Sequence, residues 1–207
     1  MKKIILASGS PRRHQLLNMI GLQHIVISPS IDEESIINSN PVQLSIQLSE
    51  LKAMEVAQNN QFDLLIAADT IVILGDKILG KPKNESEAFK MLSTLSGRTH
   101  SVITGVTFVN TQLKLHTFHV ETKVTFSQLT NAEISSYIAG GSPMDKAGAY
   151  GIQDDLGSLF VERIDGDYYN VVGLPINRLY TELKHFSPLI SDMILTQNPS
   201  EFLNKTI

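Results

Sequence analysis

The run LLIAADTIVIL at residues 64–74 constrains the fold more than any other stretch of the 207-residue chain. A long apolar segment bounded by turn formers reads as a buried central strand, so the chain has to build and cover a sheet. Only the pair Asp69–Thr70 interrupts it. An unpaired charge in such surroundings is costly, which makes Asp69 the carboxylate most in need of a partner or a task. Placed at the end of a buried strand and facing a cleft, it would hold a divalent cation or accept a proton from water. A strand-end Asp that merely caps a turn would look the same.

The rest of the chain supplies elements to pair with and cover that strand. Ile4 to Ala7 is a short buried strand, Ser8-Gly9-Ser10 a turn, and Pro11 the first residue of a helix capped by Ser10, with Leu16, Leu17 and Ile20 on its face and Gly21 at its stop. Leu44, Leu48, Leu51 and Val56 predict a helix over 42–58, and Gly75-Asp76 a hairpin into Ile78-Leu79. Asn84 and Thr130 open two further helices, each with Glu three residues on. Alternating residues at 101–109 and 113–126 read as antiparallel strands, with more strands near 158–164 and 168–172 and a last helix from Pro175. This mixture predicts a single α/β domain around one twisted mixed sheet.

Composition bounds the chemistry. With 42% hydrophobic and 18% charged residues the chain can bury a core. A net charge of −4 argues against coating nucleic acid, so no stable nucleic-acid binding is expected, although a few local cations would suffice for a small anion. The absence of cysteine removes disulfides, thiolate metal sites and a thiol nucleophile. No apolar stretch is long enough to span a bilayer, and the four-residue apolar run after Lys2-Lys3 is too short for a signal sequence. A cytoplasmic protein without a membrane partner is the expectation.

Lys2, Lys3, Arg12 and Arg13 all precede the first carboxylate, Asp32. Ser8-Gly9-Ser10-Pro11-Arg12-Arg13 sits where a strand hands over to a helix, a place where backbone N–H groups and fork-shaped guanidinium donors suit phosphate. A capped helix with two solvated arginines is the plain alternative. GDKILGKP at 75–82 fits the P-loop spelling but puts Pro82 where Ser or Thr must hold magnesium, and its first half is a hairpin, so it is rejected as such. Lys81 still stands in a rigid turn that would aim its ammonium at one place. Asp32-Glu33-Glu34 offers hard ligands but is also an ordinary solvated triplet, and Lys52 by itself reads as a surface lysine. His116 and His119 fall on opposite faces of a strand, and His14, His24, His100 and His185 show no partner spacing. No nucleophile elbow appears. The small-residue stretch DKAGAYGIQ at 145–153 would let backbone approach a flat ligand, and the Gln153 amide matches the neighbouring carbonyl and N–H of uracil or thymine. A plain connection is the alternative there.

Together, LASGSPRR (6–13), IDE (31–33), LSELKA (48–53), AADTIV (67–72), GKP (80–82), LSGRTHSVITGV (95–106), DKAGAYGIQ (145–153) and VVGLP (171–175) resemble the Maf family of nucleotide pyrophosphatases, in the family's order across residues 4–186. The wording of AADTIV and DKAGAYGIQ is nearer the branch acting on dTTP and UTP than that acting on 7-methyl-GTP. The resemblance implies a two-lobed α/β architecture with helices flanking the sheet and a central cleft, like inosine-triphosphate pyrophosphatases. It implies a domain over 1–186 followed by a tail, 187–207, outside the resemblance. The implied reaction is metal-dependent, with Mg2+ or Mn2+, and yields a monophosphate and pyrophosphate. By position, Asp69 would accept a proton from the attacking water. Arg12, Thr70 and Gln153 would select the base, and Ser8, Arg13, Lys52 and Lys81 would line the triphosphate, Lys52 and Lys81 serving catalysis. Glu33, with Asp69, would be a metal or water ligand. A homodimer follows from the resemblance alone. A 7-methyl-GTP pyrophosphatase and a non-enzymatic, nucleotide-binding regulator of cell division remain the competing readings.

Overall fold

The structure, a computed structural model, describes residues 2–36, 38–153 and 156–196. In chain order the strands are β1 (Ile4–Ala7), β2 (Ile25–Ile27), β3 (Leu64–Leu74), β4 (Lys77–Leu79), β5 (Thr99–Asn110), β6 (Leu115–Phe126) and β7 (Val161–Asp165). The helices are α1 (Pro11–Met19), α2 (Pro41–Ala57), α3 (Glu85–Leu95), α4 (Asn131–Ala139), α5 (Gly157–Phe160), α6 (Tyr168–Val172), α7 (Ile176–Phe186) and α8 (Pro188–Thr196). The sheet is mixed, in the order β2-β1-β3-β5-β6-β7, with β4 paired to β3. β1 runs parallel to both β2 and β3, with Ile5 opposite Ile25 and Leu65, whereas β3/β4 and β6/β7 are antiparallel. The expected α/β class and mixed sheet are what the chain forms.

The chain divides into two compact units, Met1–Asp69 with Gly105–His119 and Gly173–Ile207, and Thr70–Thr104 with Val120–Val172. In the first, α2 covers β1 and the start of β3. Ala53, Val56 and Ala57 on the helix meet Ile5, Ala7, Leu65 and Ala67 on the strands. Small residues draw the elements close: a Cβ on Gly105 would lie 2.4 Å from the Ser45 carbonyl oxygen. In the second unit α3 and α4 pack Ala88, Leu92, Ile134 and Tyr137 around Val72, Val124 and Phe126.

Local chemistry accounts for the element ends. Asn84 accepts from Glu87 N at the start of α3, and Thr130 and Glu133 form a reciprocal capping box at α4. Three expectations are corrected here. Ser10 occupies the N-cap position of α1, but its side chain makes no cap; instead its N–H donates to Ser8 Oγ at 3.2 Å. Residues 168–172 form helix α6 rather than a strand. The Asp167 carboxylate accepts from the N–H groups of Tyr169 and Asn170 at 2.8 and 3.3 Å, and this turn-initiating bond outweighs the strand preference of Tyr-Tyr and Val-Val. Of the expected strand near 158–164, residues from Val161 on are strand and Gly157–Phe160 is a helical turn. The tail from residue 187 begins as helix α8, which packs on α7; the remainder lies outside the described residues. None of the helices among the described residues is long and apolar enough to cross a membrane.

Candidate active site

In the first unit the site grows from two rows of residues that the packing of α2 on β3 brings together. Side chains alternate along β3, so Leu65, Ala67 and Asp69 share the face that α2 covers. On α2, Leu44, Leu48, Lys52 and Val56 recur every fourth residue and are buried. Val56 and Ala53 sit over Leu65 and Ala67; one turn earlier on the helix and one pleat further on the strand, Lys52 meets Asp69. The Lys52 ammonium donates to Asp69 Oδ1 at 2.5 Å, and Glu33 Oε1 lies 2.9 Å from the same nitrogen. The lysine and aspartate side chains are 7% and 9% exposed, that of Glu33 40%. The chain thus keeps a buried ion pair with a wetter second carboxylate at its open side.

This placement corrects two expectations. Asp69 does not end a strand: β3 continues without interruption from Leu64 to Leu74. Lys52 is no surface lysine, because it lies on the apolar stripe of its helix. A cation spaced four residues from Leu48 and from Val56 was the available signal.

Arg13 arrives from α1 by the same rule, four residues before Leu17 on the buried side of the helix. Its Nε donates to the Gly173 carbonyl at 2.8 Å and its Nη1 to Ser8 Oγ at 3.2 Å. Ser8 follows directly on the buried strand β1 and is itself buried. Burial pulls the Arg13 guanidinium below its ordinary pKa; the charges of Asp69 and Glu33 push it back up, while that of Arg12 lowers it. A guanidinium keeps its charge in a protein, and here two carboxylates support it. Arg12 is half-buried beside it. The role of Gly173, which holds Arg13 through its backbone, could not be read from VVGLP.

The first unit therefore gathers Ser8, Arg13, Glu33, Lys52 and Asp69, with Arg12 alongside. Thr70, Lys81 and Gln153 belong to the second unit. There the Thr70 hydroxyl lies 2.9 Å from that of Thr104, which donates to the Asn170 carbonyl at 3.2 Å. Lys81 is exposed, in the turn between β4 and α3. Gly148 N donates to the carbonyl of neighbouring Gly80 at 3.0 Å, so that turn is tied to the DKAGAYGIQ segment, at whose end Gln153 is exposed. The segments that carry Lys81 and Gln153 are thus linked within their own unit.

The comparisons with known proteins bear on the chain as a whole. The family described as Maf-like protein matches residues 3–186, nearly the whole chain. The chain belongs to the Maf-like family. A dTTP/UTP pyrophosphatase of Bacillus cereus is 51% identical to this Maf-like chain over 187 residues, 90% of the chain and 91% of that protein. A dTTP/UTP pyrophosphatase of Bacillus anthracis is 50% identical over 90% of the chain and 97% of its own length. Among solved structures, the Staphylococcus aureus Ham1 protein matches 60% of the chain and 72% of its own length, with a TM-score of 0.44 and 16% identity. Helix α8 of the Maf-like chain lies beyond the family match.

Proposed function

We propose that the chain hydrolyses dTTP, UTP and related modified pyrimidine triphosphates to the monophosphate and pyrophosphate. The observation that carries the reading is the buried Lys52–Asp69 pair with Glu33 and Arg13 beside it, in a chain half identical to dTTP/UTP pyrophosphatases of Bacillus. Breaking a phosphoanhydride needs a positioned water, a base for its proton and fixed cations where charge builds up. Lys52 holds Asp69 Oδ1, so Oδ2 is the oxygen that takes the proton from water. Arg13, fixed at two points, and the Ser8 hydroxyl, which accepts from Arg13 and Ser10 and so has its own hydrogen to give, bind phosphate oxygens. Lys81 is the corresponding cation of the second unit, and Arg12, Thr70 and Gln153 select the base.

A divalent metal fits the donor set. Two carboxylates, Asp69 and Glu33, already converge on one cationic centre, the Lys52 ammonium, and both offer hard oxygen donors. Among the described residues no group of three or more His, Cys, Asp or Glu could hold a metal. That suits magnesium or manganese, which takes one or two protein carboxylates and completes its shell with water and substrate phosphates. Asp69 and Glu33 would hold the ion, which neutralises the charge that develops on the phosphates.

The test is pyrophosphate release from UTP and dTTP with magnesium, comparing the parent with Asp69→Asn. The rate should fall by about 10²–10⁴-fold, the range for a lost general base. Unchanged turnover in the variant refutes the assignment of Asp69, and a parent that prefers 7-methyl-GTP refutes the pyrimidine reading.

A further inference from the structure

The segment that leads to Gln153 contains two consecutive residues in the left-handed region, Gly148 at φ 71° and Ala149 at φ 61°. The glycine is required: a Cβ there would lie 3.0–3.2 Å from the Val72 side chain. Ala149 carries a Cβ in a conformation that L residues avoid, and it is fully buried. Such strain persists only where the surroundings over-determine it, and it concentrates where placement matters.

Four contacts within the second unit over-determine this turn. Gly148 N donates to Gly80 O at 3.0 Å. The Tyr150 hydroxyl and His100 Nε2 are 2.8 Å apart. The Tyr150 ring stands edge-on to Phe126, with centroids 4.8 Å apart. Gly151 N donates to the Tyr137 hydroxyl at 3.0 Å. The His100–Tyr150 bond is a costly choice for stability alone. His100 Nδ1 is buried without a hydrogen-bond partner among the described residues, and an apolar pair of the same shape would avoid that loss. A directional bond, unlike an apolar contact, fixes where the turn stands.

We propose that His100 and Tyr150 are positioning residues that hold the Gly148–Ala149 turn in one register and thereby place Gln153 and Lys81 together, making them determinants of base selectivity. Gln153 lies three residues beyond Tyr150, and Lys81 follows the glycine whose carbonyl the turn binds. The inference rests on the reading of Gln153 as the base-selecting amide. Uracil presents a carbonyl beside an N–H, whereas cytosine presents an amino group beside a bare ring nitrogen, so one amide held in register distinguishes them.

The experiment measures kcat and KM for UTP and CTP, together with thermal stability, in the full chain and in Tyr150→Phe, Gln153→Ala and the double variant. Tyr150→Phe should raise KM for UTP about tenfold and cut the preference for UTP over CTP by a similar factor, as expected when a polar recognition group is misplaced. The double variant should lose hardly more preference than either single one, because both act through one amide. His100→Gln, which keeps a partner for the tyrosine hydroxyl, should retain the preference, while His100→Leu should lose it; this pair makes the same comparison if Tyr150→Phe does not fold. A Tyr150→Phe enzyme that melts earlier yet discriminates as the parent does overturns the proposal, as do additive losses in the double variant. If Gln153→Ala alone leaves the preference intact, the base-selecting role of Gln153 falls and the inference with it.

Discussion

Replacing Lys52 by methionine keeps the apolar stem of the side chain and removes only the ammonium that sits between two carboxylates. What is left behind differs sharply on the two sides. The Asp69 side chain is 9% exposed and cannot regain water, whereas that of Glu33 is 40% exposed and can. Stranding a buried charge costs about 3–5 kcal/mol. The charge of Arg13 still acts on Asp69, which places the expected loss at the low end, about 3 kcal/mol. For a chain of this length that corresponds to a melting temperature lower by about 6–12 °C. Glu33→Gln disturbs only the wetter pair and should cost less than about 1 kcal/mol. Thermal melts followed by circular dichroism measure all of these. The decisive variant is Lys52→Met combined with Asp69→Asn, in which no buried carboxylate is left without its ammonium and Glu33 still faces Arg13: it should melt above Lys52→Met although it carries one change more. If Lys52→Met melts within about 2 °C of the parent, or the double variant melts lower than the single one, Lys52 does not compensate a buried Asp69 and the electrostatic account of the site is wrong.

Two further outcomes test the frame around the site. Gly105→Ala would force a Cβ to within 2.4–2.8 Å of the α2 backbone at Ser45 and Ile46, which has no flexible end to yield, so a loss of about 3 kcal/mol or more is expected in thermal melts. Burial holds His100 at a pKa of about 4, well below its ordinary 6.5. The unfolded chain therefore takes up this proton first on acidification; the stability tied to it is complete above pH 6.5 and is lost between about pH 6.5 and 4, amounting to about 3 kcal/mol. A melting-temperature profile across that range should be shallower in His100→Gln than in the parent, and parallel profiles would show that His100 is not held neutral.

Much of this molecule was legible before its structure, and the divisions are physical. Strand β3, the helix over 42–58, the hairpin at Gly75-Asp76 and the capping box at Thr130 follow from period, turn chemistry and end signals that act within a few residues. Residues 168–172 failed because local propensity and a side-chain cap pointed in opposite directions, and the Asp167 cap prevailed. The site shows a similar boundary. That SGSPRR turns a strand into a helix was readable locally, but that Arg13 is held by the carbonyl of Gly173, 160 residues away, was not.

Lys52 illustrates the step between those two kinds of knowledge. Considered by residue type it is a surface lysine, and considered by position it is the fourth member of a buried row with Leu44, Leu48 and Val56. The charged residue in β3 poses the matching problem, since Asp69 extends the buried row of Leu65 and Ala67. Each would be intolerable alone in an apolar interface. Helix and strand can pack only if the two fall opposite each other, so each charge determines the other's place. A misfit in one amphipathic pattern thus acquires meaning when a second element contains the opposite misfit. The resulting pair fixes the register of α2 on β3 and, in the reading proposed above, holds the base that attacks through water.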